Sequence, residues 1–161
     1  MYLWKQEMQS YRDRLQSIPP SERLALAVSV MEWTLAEMGP LRPGVVSEYI
    51  ASSMQTAHEA VESDAEKLTI SDEMLDSRND VDDQADEAGT THIMSAILAC
   101  ADAPGGLSGE VLYGVLCFCY EALRERFEDS GVGLEAEQRS DECVEAISFQ
   151  KAKIVDILGV E

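Results

Sequence analysis

Trp4, Met8, Tyr11, Leu15 and Ile18 recur at spacings of four, three, four and three, which puts them on one stripe of an amphipathic opening helix that must dock on something. Pro19-Pro20 stops that helix, and Ser21-Glu22-Arg23 starts a second with proline or serine in the capping position. From Leu24 to Met38 the string LALAVSVMEWTLAEM is apolar around most of its circumference, so the second helix is the expected centre of the fold. After Gly39-Pro40, a third amphipathic segment carries Val46, Tyr49, Ile50, Ala57 and Val61 and is expected to run to about Lys67.

Ser71-Asp72-Glu73 reads as a cap before Met74 and Leu75, but acids dominate from Asp72 to Gly89, so this interval is expected to be a short helix and a solvated connection. Helix resumes through Ala85 and Ala88 into His92, Ile93, Ala96, Ile97 and Cys100, with an acidic first turn, and Pro104-Gly105-Gly106 ends it. Ser108 caps the next helix, where Val111, Leu112, Val115, Leu116, Cys119 and Leu123 form a broad apolar face. A last helix runs from about Glu135 through Cys143, Ile147, Ile154 and Leu158. No stretch alternates as a strand does, so the pattern predicts an all-α fold: a single compact bundle of six or seven helices over residues 1–161, with an acidic connection near 72–89.

Composition supports that reading. Ala, Leu, Val, Ile and Met supply the apolar mass and aromatic residues are few, which favours helix over sheet. A chain of 161 residues buries roughly two-thirds of its unfolded surface. The N-terminal residues show no basic region followed by an apolar run, and no segment approaches the ~18 apolar residues of a membrane span. The expectation is a cytoplasmic protein. Cys100, Cys117, Cys119 and Cys143 do not form a spaced disulfide framework, and they read as reduced, buried thiols.

Charge changes the picture most. Thirty-one acidic residues against twelve basic ones give a net charge of −19, which disfavours nucleic acid and anionic membranes as partners and favours a basic protein. The acids concentrate between Glu59 and Glu87 and again between Glu121 and Glu145, so a folded bundle can present negative faces. The candidate contact residues are Glu59, Glu62, Asp64, Glu66, Asp82, Asp83, Asp86 and Glu87.

Catalytic signatures are sparse. Asp82-Asp83-Gln84-Ala85-Asp86 resembles the magnesium-binding DDxxD string of all-α prenyl-diphosphate enzymes, but the chain is far too short for that fold and lacks a facing second motif. Glu59-x-x-Glu62 with Glu73-x-x-Asp76 resembles the paired acidic motifs of all-α nucleotide pyrophosphohydrolases, which implies Mg²⁺ held by Glu59, Glu62, Glu73 and Asp76. No cluster of Lys or Arg accompanies those acids to grip a triphosphate. His58 and His92 lack the carboxylate three residues earlier that a helical di-iron site requires, and Cys117-x-Cys119 is not a zinc knuckle. There is no P-loop, no G-x-G-x-x-G and no G-x-S-x-G.

A small, acidic, helical chain without catalytic motifs resembles the immunity proteins of bacterial toxin systems. Leu15-x-x-Ile18 followed by Ser21-Glu22-Arg23-Leu-Ala-Leu-Ala-Val-x-Val-Met-Glu32 is similar to the opening helices of some helical immunity-like domains. That resemblance implies an inhibitor with no catalytic residues and no cofactor, which covers a basic toxin site with its acidic face. Two alternatives remain: a magnesium-dependent nucleoside triphosphate pyrophosphohydrolase, and a helical scaffold or homo-oligomer subunit that buries Trp4, Met8 and Tyr11 against another copy.

Overall fold

The structure, a computed structural model, describes residues 2–128 and 131–159. Among these residues the chain forms eight α-helices and no strand: α1 (Tyr2–Met8), α2 (Pro20–Met38), α3 (Val45–Glu62), α4 (Asp72–Asp83), α5 (Thr90–Ala101), α6 (Gly109–Arg126), α7 (Leu134–Arg139) and α8 (Asp141–Leu158). The all-α class is as the pattern predicts; the helix count is eight rather than six or seven because the last expected segment divides in two, and two other segments end differently from expectation.

The opening stripe is the first such difference. Regular α-helix stops at Met8, and two 3₁₀ turns, Gln9–Tyr11 and Asp13–Ser17, carry the chain to Ile18. Trp4, Met8, Leu15 and Ile18 nevertheless all end in the core and Tyr11 packs against it, since the tighter turns still return these residues to one side. Trp4 and Met8 are covered by their own chain, which removes the expectation that the first helix needs a second copy to bury them.

The third segment ends at Glu62, short of Lys67. Asp64 turns left-handed with φ 55°, its N–H bonding the Val61 carbonyl at 3.1 Å while the Ala65 N–H reaches Ala60 at 2.9 Å. These are the two bonds of a Schellman ending, built on aspartate where glycine is usual. Within the acidic interval α4 is a full twelve residues long. Ser71 caps it by accepting the Met74 N–H at 3.3 Å, and Met74 and Val81 turn inward, Val81 fully. α5 begins at Thr90 rather than near Ala85, so Asp86 and Glu87 precede the helix and its first turn holds no acid. The last segment breaks at Ser140, whose side chain caps α8 at the Cys143 N–H.

α6 is the hub. It packs against α5, α2, the second 3₁₀ turn and α8, while α2 lies against α6, α3, α8 and α5. The centre therefore belongs to α6 and α2 together rather than to α2 alone. Two glycines permit the closest approaches. Gly109, at the start of α6, lies so near the 3₁₀ turn that a Cβ there would stand 2.5 Å from the Gln16 nitrogen, and its own N–H donates to Gln16 Oε1 at 2.7 Å. Gly89 caps α5 at φ 88°, and a Cβ there would meet the Ala122 carbonyl oxygen at 2.6 Å.

The largely apolar core is crossed by a few polar links. The Trp4 indole donates to Gln150 Oε1 at 2.8 Å, and Gln150 Nε2 donates to the Leu116 carbonyl at 3.0 Å, tying α1, α8 and α6 together. Tyr120 donates to the buried Glu137 carboxylate at 2.5 Å. Burial raises the Glu137 pKa, yet hydrogen bonds to its carboxylate, among them those from Tyr120 and the Tyr2 N–H, outweigh it and hold the group below the ordinary value.

Candidate functional site

The acidic positions divide into three groups with different neighbours. The first lies at the end of α3. Glu59 and Glu62 share one side of the helix, Asp64 forms the turn that ends it, and Glu66 follows; all four are exposed. Glu59 accepts a hydrogen bond from Gln55 at 3.2 Å, and none of the four has an ion-pair partner among the described residues.

The second group is the outer face of α4. Asp72, Asp76, Asp80 and Asp83 follow one another at intervals of four, four and three residues, so they stack along one side of the helix, with Glu73 beside them. All five are exposed and none is ion-paired among the described residues. Like charges one turn apart cost a helix ~0.2–0.5 kcal/mol per pair, so α4 carries a repulsion that no ion pair among the described residues relieves. Asp82 differs: it is half-buried, and one of its carboxylate oxygens is shielded without a hydrogen-bond partner among the described residues.

Asp86 and Glu87 form the third group, and their work is internal. Glu87 accepts the Arg42 N–H at 2.9 Å and pairs with Arg126 at 2.8 Å. Arg126, the last residue of α6, also donates to the carbonyls of Met38 and Ala88. Glu87 thus joins the linker after α2, the turn before α5 and the end of α6. The Arg42 amide and the Arg126 guanidinium together hold its carboxyl below the usual range. Asp86 pairs with Arg42 at 2.6 Å on the exposed side of the same cluster.

The four carboxylates of the magnesium alternative do not meet. Tyr49, near the start of α3, donates to the Met74 carbonyl at 3.4 Å, so the first turn of α4 lies beside the beginning of α3. Glu59 is ten residues further along, a rise of about 15 Å. Glu59 and Glu62 therefore stand at one end of the α3–α4 pair and Glu73 and Asp76 at the other. Among the described residues no three His, Cys, Asp or Glu side chains converge on a point where a metal could sit.

Other chemistry-bearing residues have structural surroundings. His58 faces Glu32 across α3 and α2 at 3.6 Å rather than Glu62, and His92 faces Glu125 across α5 and α6 at 3.1 Å. All four cysteines are free. Burial pushes the Cys100 thiol up to about 12, the Cys117 thiol up to about 11 and the Cys119 thiol higher still, so these three are protonated and unreactive near neutrality. Among the described residues no helix is long and apolar enough to cross a membrane. Asp129, in the second acidic stretch, lies outside the described residues.

Compared with protein-family models, curated proteins and solved structures, the chain shows no significant match.

The sequence reading missed the α4 stripe as a unit. In the sequence Glu73 and Asp76 stand out only as ligands of the magnesium alternative, Asp72 as part of a cap and Asp83 as a contact residue, while Asp80 has no role. The signal was present in the four-residue spacing of Asp72, Asp76 and Asp80, but it is legible only once the interval is known to be helical.

Proposed function

We propose that this chain is a protein-binding module of the immunity or antitoxin type, which covers a basic site of a partner with the outer face of α4 and the acidic end of α3. The observation that carries the reading is the α4 stripe. Asp72, Asp76, Asp80 and Asp83 are exposed, aligned and without an ion-pair partner among the described residues. From Glu59 to Asp83 the only basic side chains are Lys67 and Arg78. The twelve-residue helix that bears them is anchored chiefly by Met74 and Val81. A partner's Lys and Arg would relieve the repulsion within α4, speed encounter through long-range attraction, and lose their own access to an anionic substrate. Inhibition of this kind needs no catalytic group and no cofactor. Asp86 and Glu87 are left to the fold, so the contact surface is Glu59, Glu62, Asp64 and Glu66 together with α4.

The partner is a basic protein, and a cytoplasmic toxin domain is the kind that the resemblance of the opening helices suggests. The test uses the tagged chain as bait in its host's lysate, followed by purification of the retained protein and assay of its activity with and without this chain. The expected result is a stoichiometric complex that dissociates as salt rises and in which the partner's activity is suppressed. A purified partner whose activity is unchanged at saturating concentrations of this chain contradicts the reading.

A further inference from the structure

Beside the acidic face lies a groove that a salt-driven contact alone does not explain. It has a volume of about 300 Å³, its walls are Leu68, Ile70, Leu75, Leu98 and Ala101, and Lys67, Thr69 and Asp102 complete its rim. Leu75 stands in the first half of α4, one turn after Asp72 and next to Asp76, and 42% of its surface is exposed. Apolar wall and aspartate stripe therefore belong to the same turns of one helix.

The opposite wall is the non-helical segment between α3 and α4. It is held to the body on one side, where the Leu68 N–H bonds the Cys100 carbonyl at 3.1 Å and the Leu107 N–H bonds the Glu66 carbonyl at 2.8 Å. Past Leu68 the pairing stops. The backbone N–H and C=O groups of Thr69 and Ile70 make no hydrogen bond within the protein among the described residues, and Thr69 is exposed. Unpaired main-chain groups beside an apolar slot are what an incoming peptide backbone uses when it adds to an existing segment.

Resting on the acidic-face reading above, we infer that the groove receives a basic, extended segment of the partner protein: an aliphatic side chain enters between Leu68, Ile70, Leu75 and Leu98, the segment's backbone pairs with Thr69 and Ile70, and flanking Lys or Arg residues reach Asp72, Asp76 and Asp102. Charge complementarity selects this occupant. The rim and the adjoining helix carry Asp72, Glu73, Asp76 and Asp102 against Lys67 and, one turn beyond Leu75, the half-buried Arg78, so the net charge beside the slot is negative and favours a basic segment over an acidic one. The apolar slot supplies specificity that the stripe lacks, because a carboxylate row accepts any cation while the slot also demands an aliphatic side chain at the right interval.

The experiment measures binding of the full chain, by fluorescence anisotropy at low salt, to a labelled peptide of alternating Lys and Arg around one central Leu, and to the same peptide with Ser in place of Leu. The Leu peptide is expected to bind about tenfold tighter, as burial of one leucine side chain allows. That advantage is expected to vanish in Leu75→Ser, with the helix content unchanged by circular dichroism, and the amide signals of Thr69 and Ile70 are expected to shift on titration. Equal binding of both peptides overturns the groove while leaving the acidic face in place. A Leu advantage that survives Leu75→Ser also overturns it. Failure of both peptides to bind overturns the groove, and the bait experiment then judges the acidic face by itself. A concentration-dependent dimer in light scattering, abolished by Leu75→Ser, would show a second copy in the slot and overturn the peptide as its occupant.

Discussion

Gly109 shows how much of this fold hangs on single positions. A methyl group there would overlap the backbone of Gln16 and Leu15, so α6 and the second 3₁₀ turn would have to move apart and the Gly109 N–H bond to Gln16 would stretch. Gly109→Ala is expected to cost ~1–3 kcal/mol in denaturant unfolding, within the usual range for overpacking a tight contact. Glu87 is a second such position, because it joins three parts of the chain through Arg42 and Arg126. Its folded pKa lies below the ordinary carboxylate value of 4.5, so the stability it contributes is present above that value and lost as pH falls through the lower folded value. Glu87→Gln is expected to cost about 1.5–3 kcal/mol near neutral pH, the range for hydrogen bonds to charged groups. Parallel unfolding curves for the two proteins should converge below the carboxylate range. A gap that stays constant down to acid would show that shape rather than charge matters at this site.

At the scale of elements, α4 is where local preference and role disagree most. Ser71 caps it well and Asp72 and Glu73 suit the positive end of the helix dipole, but Asp76, Asp80 and Asp83 continue the negative charge into turns where the dipole no longer favours it. Asp80→Lys removes the repulsions with Asp76 and Asp83 and replaces them with attractions, so it is expected to stabilise the protein by about 0.5–1 kcal/mol while weakening the partner complex. Thermal unfolding and a binding titration on the same variant check both halves. A variant that gains stability and keeps full affinity would separate the stripe from binding.

This disagreement also explains what the sequence conceals. The long, strongly apolar stretches Leu24–Met38 and Val111–Leu123 declare their helices plainly, and Ser71 and Ser108 declare their caps. The ends are concealed wherever an unusual residue does the terminating: Asp64 ends α3 without a glycine, and the first helix stops at Met8 although its stripe continues. In the same way Glu87 looks like its acidic neighbours, because the cations it meets, Arg42 and Arg126, are 45 and 39 residues away. Only tertiary structure separates a carboxylate that serves the fold from one left on the surface.

For the whole molecule, a net charge of −19 is a field as well as a sum. Much of the basic complement is spent internally: Arg42 and Arg126 on Asp86 and Glu87, Arg12 on Glu110, Lys151 on Glu7, Arg124 on Glu121, Arg139 on Glu135. What remains toward α4 is nearly unopposed acid, and that asymmetry is the central claim. It is tested most directly by calorimetric titration of the partner recovered from the bait experiment with the native chain and with the variant Asp72→Asn, Asp76→Asn, Asp80→Asn, at low and at moderate salt. The account predicts tight, salt-sensitive binding by the native chain, and a loss of at least tenfold with a shallower salt dependence for the variant. Equal affinity and equal salt dependence for the two proteins would contradict it.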